Sequence, residues 1–296
     1  MSRGYHGERT DVLEYYDRST LNLEGEIAVP PKAPRGLPNT NHSDFSDDER
    51  FLFVSFFTPA SSVGIIDLKT RNYVGEIETA GCAYVMAGGD RRFFTLCGDG
   101  SLVVITVDDN GGEKARTRLS KVFDPIADPL HGTGVRTGDE WYFVTQLGEV
   151  HRIDVSGADI EHEVLWHGGE KSGEHTAWVP AEMFQNLAVH EKMGQLFLLV
   201  GDQDLRPKGG GPDYHRKAGT EVWAFDIASG DRVKRVKLPS PMYAMAVSQA
   251  DKPALYTSSI WSPTVFVFDP IKGDVLSSFD TTYASMNTLL QPVEAR

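Results

Sequence analysis

One module recurs along this chain, and its period limits what the chain can fold into. Each copy ends in a strand-like run whose last apolar residue is followed by aspartate and a turn. The ending reads YYDRST at Tyr15, IIDLKT at Ile65, ITVDDNGG at Ile105, RIDVSGAD at Arg152, AFDIASGD at Ala224 and VFDPIKGD at Val267. The aspartates Asp17, Asp67, Asp108, Asp154, Asp226 and Asp269 lie 50, 41, 46, 72 and 43 residues apart. Four short strands repeated every ~40–50 residues form the pattern of a β-propeller. A two-layer sandwich would not need this self-similarity.

The clearest copy runs from Cys82 to Asp108: CAYVMAGG, DRRFFTLCGDG and SLVVITVD, with a fourth run around Ala115–Leu119. Extending the pattern gives an all-β chain forming a single propeller domain over residues 1–296. Full units are expected at 36–79, 82–122, 133–166, 185–238 and 242–279, with a partial unit at 9–29 and a closing strand at 283–293. This makes five full blades, two strands in front and one behind, an N-terminally incomplete set that does not tile a closed ring. The expectation is a chain that begins inside a blade. Segment 167–183 reads as a polar connection. Gly201–Gly219 reads as a glycine-rich insertion between two strands, and loops of that kind carry binding.

Charge narrows the partners. A net charge of −13 and a pI near 5.1 disfavour nucleic acid and anionic membranes, whose phosphates repel such a surface. There is no run of eighteen apolar residues, so no membrane-spanning helix is expected. The opening MSRGYHGERTDV carries no apolar core of an export signal.

Reactive constellations are missing from the pattern. The nine histidines are His6, His42, His131, His151, His162, His167, His175, His190 and His215, and they form no HExxH or close His/Cys cluster. His162 and His167 flank Trp166 and read as solvated. There is no GxSxG and no phosphate-binding loop, and the repeated aspartates read as turn residues that accept backbone N–H groups. Of the five tryptophans, Trp141, Trp223 and Trp261 read as blade packing, beside Trp166 and Trp178. We therefore expect no catalytic, cofactor-binding or metal-binding residue on this chain.

The two cysteines are Cys82 and Cys97. A tight hairpin turning between Gly89 and Asp90 sets them opposite each other as cross-strand partners, about 4.5–5.5 Å apart at Cβ. That spacing leaves open either a disulfide or a pair of buried thiols.

The stretch GC-x8-RRF-x3-CGDGSL at 81–102 resembles the heavy subunit of quinoprotein amine dehydrogenases, the methylamine and aromatic amine dehydrogenases. Further similar pieces are GERTDVLEYYD at 7–17, EIAVPPKAPRGLP at 26–38, RFLFVSFFTPASSVGIIDL at 50–68, GTEVWAFDIASGDRV at 219–233 and DKPALYTSS at 251–259. The resemblance implies a seven-bladed propeller with an intrablade disulfide between Cys82 and Cys97. It implies a periplasmic heterotetramer of two heavy and two light subunits, in which the tryptophan tryptophylquinone cofactor belongs to the light subunit. The implied activity is oxidation of primary amines to aldehyde and ammonia, with electrons passed to a cupredoxin. Heavy chains of that family carry an export signal and further strands ahead of the segment matching GERTDV.

Two other readings compete. One is a stand-alone propeller that binds or scaffolds without a light chain. The other is a hydrolytic, lactonase-type propeller around a central metal, which the absence of converging Glu, Asn and Asp at strand ends disfavours. In an up-and-down blade the long loops gather on one face, which Cys82 and Cys97 mark together with Phe57–Ser61, Gly98–Gly100, the 201–219 insertion, Ile260–Pro263 and the connections 124–132 and 167–183. That face is the expected docking surface.

Overall fold

The structure is a computed structural model, and it describes residues 7–34, 39–168, 178–181, 185–202, 218–259, 262–281 and 290–292. Much of the 201–219 insertion and of the 283–293 closing strand falls outside the described residues, as do His6, His175, His215 and Trp261. By chain contacts the molecule divides into two compact units, one of residues 1–37 and 41–122, the other of 38–40 and 123–296.

The first unit opens with an antiparallel pair, β1 (Asp11–Tyr16) and β2 (Leu23–Val29). Next comes a four-stranded antiparallel sheet of β3 (Ser43–Phe45), β4 (Phe51–Phe56), β5 (Ser62–Asp67) and β6 (Asn72–Glu78), in chain order. A second such sheet holds β7 (Cys82–Ala87), β8 (Arg92–Cys97), β9 (Leu102–Val107) and β10 (Glu113–Leu119). The second unit repeats the plan with β11 (Val135–Thr137), β12 (Glu140–Val144), β13 (Glu149–Asp154) and β14 (Glu161–His167). A five-stranded sheet of β15 (Trp178–Pro180), β16 (Leu187–His190), β17 (Gln195–Asp202), β18 (Gly219–Asp226) and β19 (Arg232–Met242) follows. The unit's last sheet is β20 (Ala244–Val247), β21 (Leu255–Ser258), β22 (Thr264–Phe268) and β23 (Val275–Asp280).

Two details differ from the sequence reading. The connection at 167–183 is not wholly loop, because β15 pairs with β17 beside β16 and so splits the inner strand in two. And β19 does not stop at Leu238 but runs on to Met242, through Pro239 and Pro241. Proline is tolerated there because β19 is an edge strand, where a missing N–H breaks no ladder.

Alternation explains the packing. Along β4, Phe51 and Phe53 face one side and Leu52 the other, and all three are buried. Phe51, Phe53 and Ile65 pack against Phe93, Val103 and Ile105 of the next sheet. Leu52 and Ile66 pack against Ile27 and Leu13 of the β1–β2 pair. In the second unit Tyr142 and Val150 meet Leu198 and Trp223, and the opposite face of the β15–β19 sheet uses Phe197 and Val222 against Met245 and Phe268. Central strands are thus apolar on both faces, whereas the outermost β23 is exposed along its whole length. A fully buried aromatic strand contributes ~2–3 kcal/mol per large side chain, which fixes the sheet stacking.

Candidate functional site

The Cys82–Asp108 copy holds the features that set one face of the first unit apart. Register pairs Cys82 with Cys97 and Ala83 with Leu96, then shifts so that Met86 meets Phe94 and Ala87 meets Phe93. Cys82 and Cys97 are joined as a disulfide, with Cα atoms 3.8 Å apart.

The route to that pairing differs from a plain tight hairpin. Gly88 donates its N–H to the Arg92 carbonyl and Arg92 donates to Gly89, so Gly89, Asp90 and Arg91 form a three-residue loop. Gly89 and Asp90 both lie in the left-handed region, at φ 81° and 49°. A loop centred on Asp90 would carry Cys82 one residue past Cys97. The extra residue in β7 between Ala83 and Met86 takes up that offset, as a β-bulge does.

Tyr84 lies in this bulge at φ 65°, a conformation that costs a bulky residue ~1–3 kcal/mol. Its ring stacks on His42, with centroids 5.8 Å apart and planes at 13°. Phe57 meets both rings edge-on, 5.8 Å from His42 and 6.3 Å from Tyr84. Burial disfavours the charged imidazolium and holds the His42 pKa below its ordinary value. The sequence gives each ring its strand or loop, but only tertiary structure brings these three segments together.

The repeated aspartates are turn residues. Asp17 accepts from the Thr20 and Ser19 hydroxyls and N–H groups, at 2.7–3.2 Å, and these bonds pull its pKa down to about 2. Asp108 accepts from Asn110 N and Gly112 N, at 2.8 and 2.9 Å. Asp154, Asp226 and Asp269 hold the N–H groups of Ser156, Ser229 and Ile271 in the same way. Asp67 accepts from Thr70 N at 2.9 Å and also pairs with Arg50 at 2.6 Å. These carboxylates therefore close turns, and bonding to their charged form accounts for the lowered pKa of each.

One histidine was misjudged from sequence. His162 is half-buried, and its Nε2 lies 2.9 Å from Nδ1 of His151, which is 1% exposed. Burial, and then repulsion from His162, lower the His151 pKa to about 4. Sequence read His162 as a solvated residue flanking Trp166, but the β13–β14 hairpin sets it diagonally across from His151. No group of three His, Cys, Asp or Glu side chains suited to a metal ion occurs among the described residues.

A tryptophan-derived quinone needs two tryptophans held together. Here Trp141 stacks on Phe143 at 6.0 Å, Trp166 stacks on Phe225 at 4.7 Å, and Trp223 leans on Phe225 at 6.4 Å. These three serve blade packing. In the second unit a groove of about 510 Å³ is lined by Glu140, Arg152 and Glu163, and Arg152 bridges the two carboxylates at 2.8 and 2.7 Å.

Comparison with known proteins places this architecture. The chain resembles the β-propeller domain of Myceliophteria thermophila Swd1 (TM-score 0.50, 12% identity, covering 85% of this chain and 75% of that one). It also resembles dihydro-heme d1 dehydrogenase NirN (TM-score 0.52, 16% identity, 91% of this chain and 52% of that one). At such identities these likenesses show the fold alone, a β-propeller. Sequence relatives are more specific. The methylamine dehydrogenase heavy chain of Methylophilus methylotrophus is 28% identical over 284 residues, 94% of this chain and 67% of the relative. That of Methylorubrum extorquens is 27% identical over 276 residues, 92% of this chain and 65% of the relative. The chain therefore spans about two thirds of the length of these relatives. The family model for the methylamine dehydrogenase heavy chain matches residues 1–289, and the chain accordingly belongs to that family.

Proposed function

We propose that this chain is the framing subunit of an amine dehydrogenase, and that a light subunit carries the reactive quinone. The observation that carries this reading is the family match over residues 1–289. The local chemistry agrees with it: the repeated carboxylates close turns, and Trp141, Trp166 and Trp223 are used in packing. On this reading the chain binds and orients the light subunit, while the quinone would supply the two-electron oxidation of a primary amine, which with one water gives aldehyde and ammonia. A cupredoxin takes the electrons, and the assembly holds two heavy and two light subunits. The Cys82–Cys97 disulfide supports an oxidising compartment, the periplasm.

Reconstitution tests the division of labour. Purified alone, the chain is expected to reduce no artificial acceptor with methylamine or phenethylamine. Mixed with a mature light subunit, it is expected to give amine-dependent reduction. Turnover by the isolated chain would overturn the proposal.

A further inference from the structure

Residues 290–292 follow the last sheet, and no strand or bridge pairs with them among the described residues. One side chain holds them instead. The Gln185 amide donates from Nε2 to the Leu290 carbonyl at 3.0 Å and accepts the Leu290 N–H on Oε1 at 2.8 Å. These are the two bonds that a residue exchanges with its partner in a hydrogen-bonded antiparallel pair, supplied here by an amide side chain in place of a peptide group. A carboxylate could accept but not donate, and an apolar side chain could do neither. The Leu290 side chain packs against Tyr243 and Ala244, which are 6% and 0% exposed, and Ala218 packs on the same pair.

The seat is fixed by bonds of its own. Gln185 forms a parallel bridge with Ala244, and its carbonyl accepts the Met245 N–H at 2.9 Å. The next residue, Asn186, is 1% exposed. Its side chain donates to the Ala181 carbonyl at 2.8 Å and accepts from the Thr133 hydroxyl at 2.9 Å, and its own carbonyl accepts the Leu199 N–H at 2.9 Å. None of these bonds involves residues 290–292, so the backbone that carries the Gln185 amide is placed before a segment is seated, which lowers the cost of binding. Pro292 in turn favours extended backbone at Gln291 and offers no N–H to a ladder.

We propose that Gln185, with Ala218, Tyr243 and Ala244, forms a binding site for extended peptide, and that its resident ligand is this chain's own tail at Leu290. The amide reads the main chain of one residue and the apolar seat reads its leucine side chain. Main-chain bonds give affinity and the side-chain pocket gives selectivity, as in strand-addition sites. The site goes beyond the amine dehydrogenase reading and does not depend on it. Hydrogen exchange of the Leu290 amide in the full chain tests the resident ligand, and NMR of the Gln185 side-chain amide tests the site. Gln185→Met removes both hydrogen bonds, and the near-isosteric Gln185→Glu removes the donor. Leu290→Pro takes away the captured N–H and the leucine side chain together.

In wild type the Leu290 N–H is expected to exchange roughly tenfold or more slowly than an unstructured amide. Both Gln185 variants are expected to bring it to the unstructured rate while β17 amides keep their protection. A synthetic peptide of residues 286–296, added to the Leu290→Pro chain at about 5 mM to match the effective concentration of a tethered segment, is expected to return the Gln185 Nε2–H resonances to their wild-type positions. The same peptide carrying Leu290→Pro is expected to leave them unmoved. A freely exchanging Leu290 amide in wild type, or protection that survives both Gln185 variants, would overturn the assignment. Loss of β17 protection in Gln185→Glu would mean that the amide serves the fold, and would overturn it as well. Gln185 resonances in the Leu290→Pro chain that ignore the wild-type peptide, or that respond equally to both peptides, would refute a peptide site.

Discussion

Removing the cross-link between Cys82 and Cys97 gives the most quantitative prediction. The bridge closes a separation of 15 residues, and a loop of that size is worth ~3 kcal/mol through the unfolded state. Both cysteines are also 3% exposed and belong to the cluster that includes Phe53, Phe93 and Ile105. Reduction breaks the bond but keeps the sulfurs, so the reduced protein should lose only the ~3 kcal/mol of the cross-link. Cys82→Ala/Cys97→Ala loses the bond and the packing, and should lose a further ~1–2 kcal/mol. The assay is native-state hydrogen exchange of β8 amides, since β8 is hydrogen-bonded on both edges and Phe93 and Phe94 are fully buried. The reasoning fails if oxidised and reduced proteins protect β8 to within about 1 kcal/mol of each other, or if the alanine pair is no weaker than the reduced protein.

Three further outcomes follow from single sites. Gly111→Ala should destabilise the first unit by ~2–4 kcal/mol in urea unfolding, because Gly111 sits at φ 85° and a Cβ there would lie 2.6 Å from Val74 Cγ2; a loss below ~1 kcal/mol would contradict that geometry. His151 has a depressed pKa of about 4 against an ordinary 6.5, so the folded state prefers the neutral ring. Its contribution is present above pH 6.5 and is lost as pH falls toward 4, roughly 3 kcal/mol in all; His151→Phe should flatten the stability profile over that window, and an unchanged slope would refute the assignment. Asp17, whose pKa is lowered to about 2, should titrate by NMR well below the ordinary carboxylate value, and Thr20→Val should move it back up; its contribution to stability is present above pH 3.8 and fades as pH falls toward 2.

Much of this architecture is legible in the sequence because the same local device recurs. An apolar residue followed by Asp marks where a strand ends, since the carboxylate closes the turn with backbone N–H groups, and β5, β9 and β18 end at or beside such residues. What was hidden depends on contacts between segments far apart. The cysteine pairing was reached from a turn centred half a residue away from its true position, and it held because a bulge in β7 offset the longer loop. No local pattern announces that bulge, since Tyr84 is ordinary strand sequence until its φ is seen. The His151–His162 bond was missed for the same reason. Its partners are 11 residues apart, and only the β13–β14 register brings them together. β15 was concealed in a polar stretch whose pairing on β17 is set by the backbone.

The most direct measurement of the division of labour is to purify an active amine-oxidising complex containing this chain, separate its subunits under denaturing conditions, and stain both for quinone by redox cycling. The account predicts that all quinone resides on the small subunit and that this chain stays unstained at equal loading. Quinone staining of this chain would contradict it.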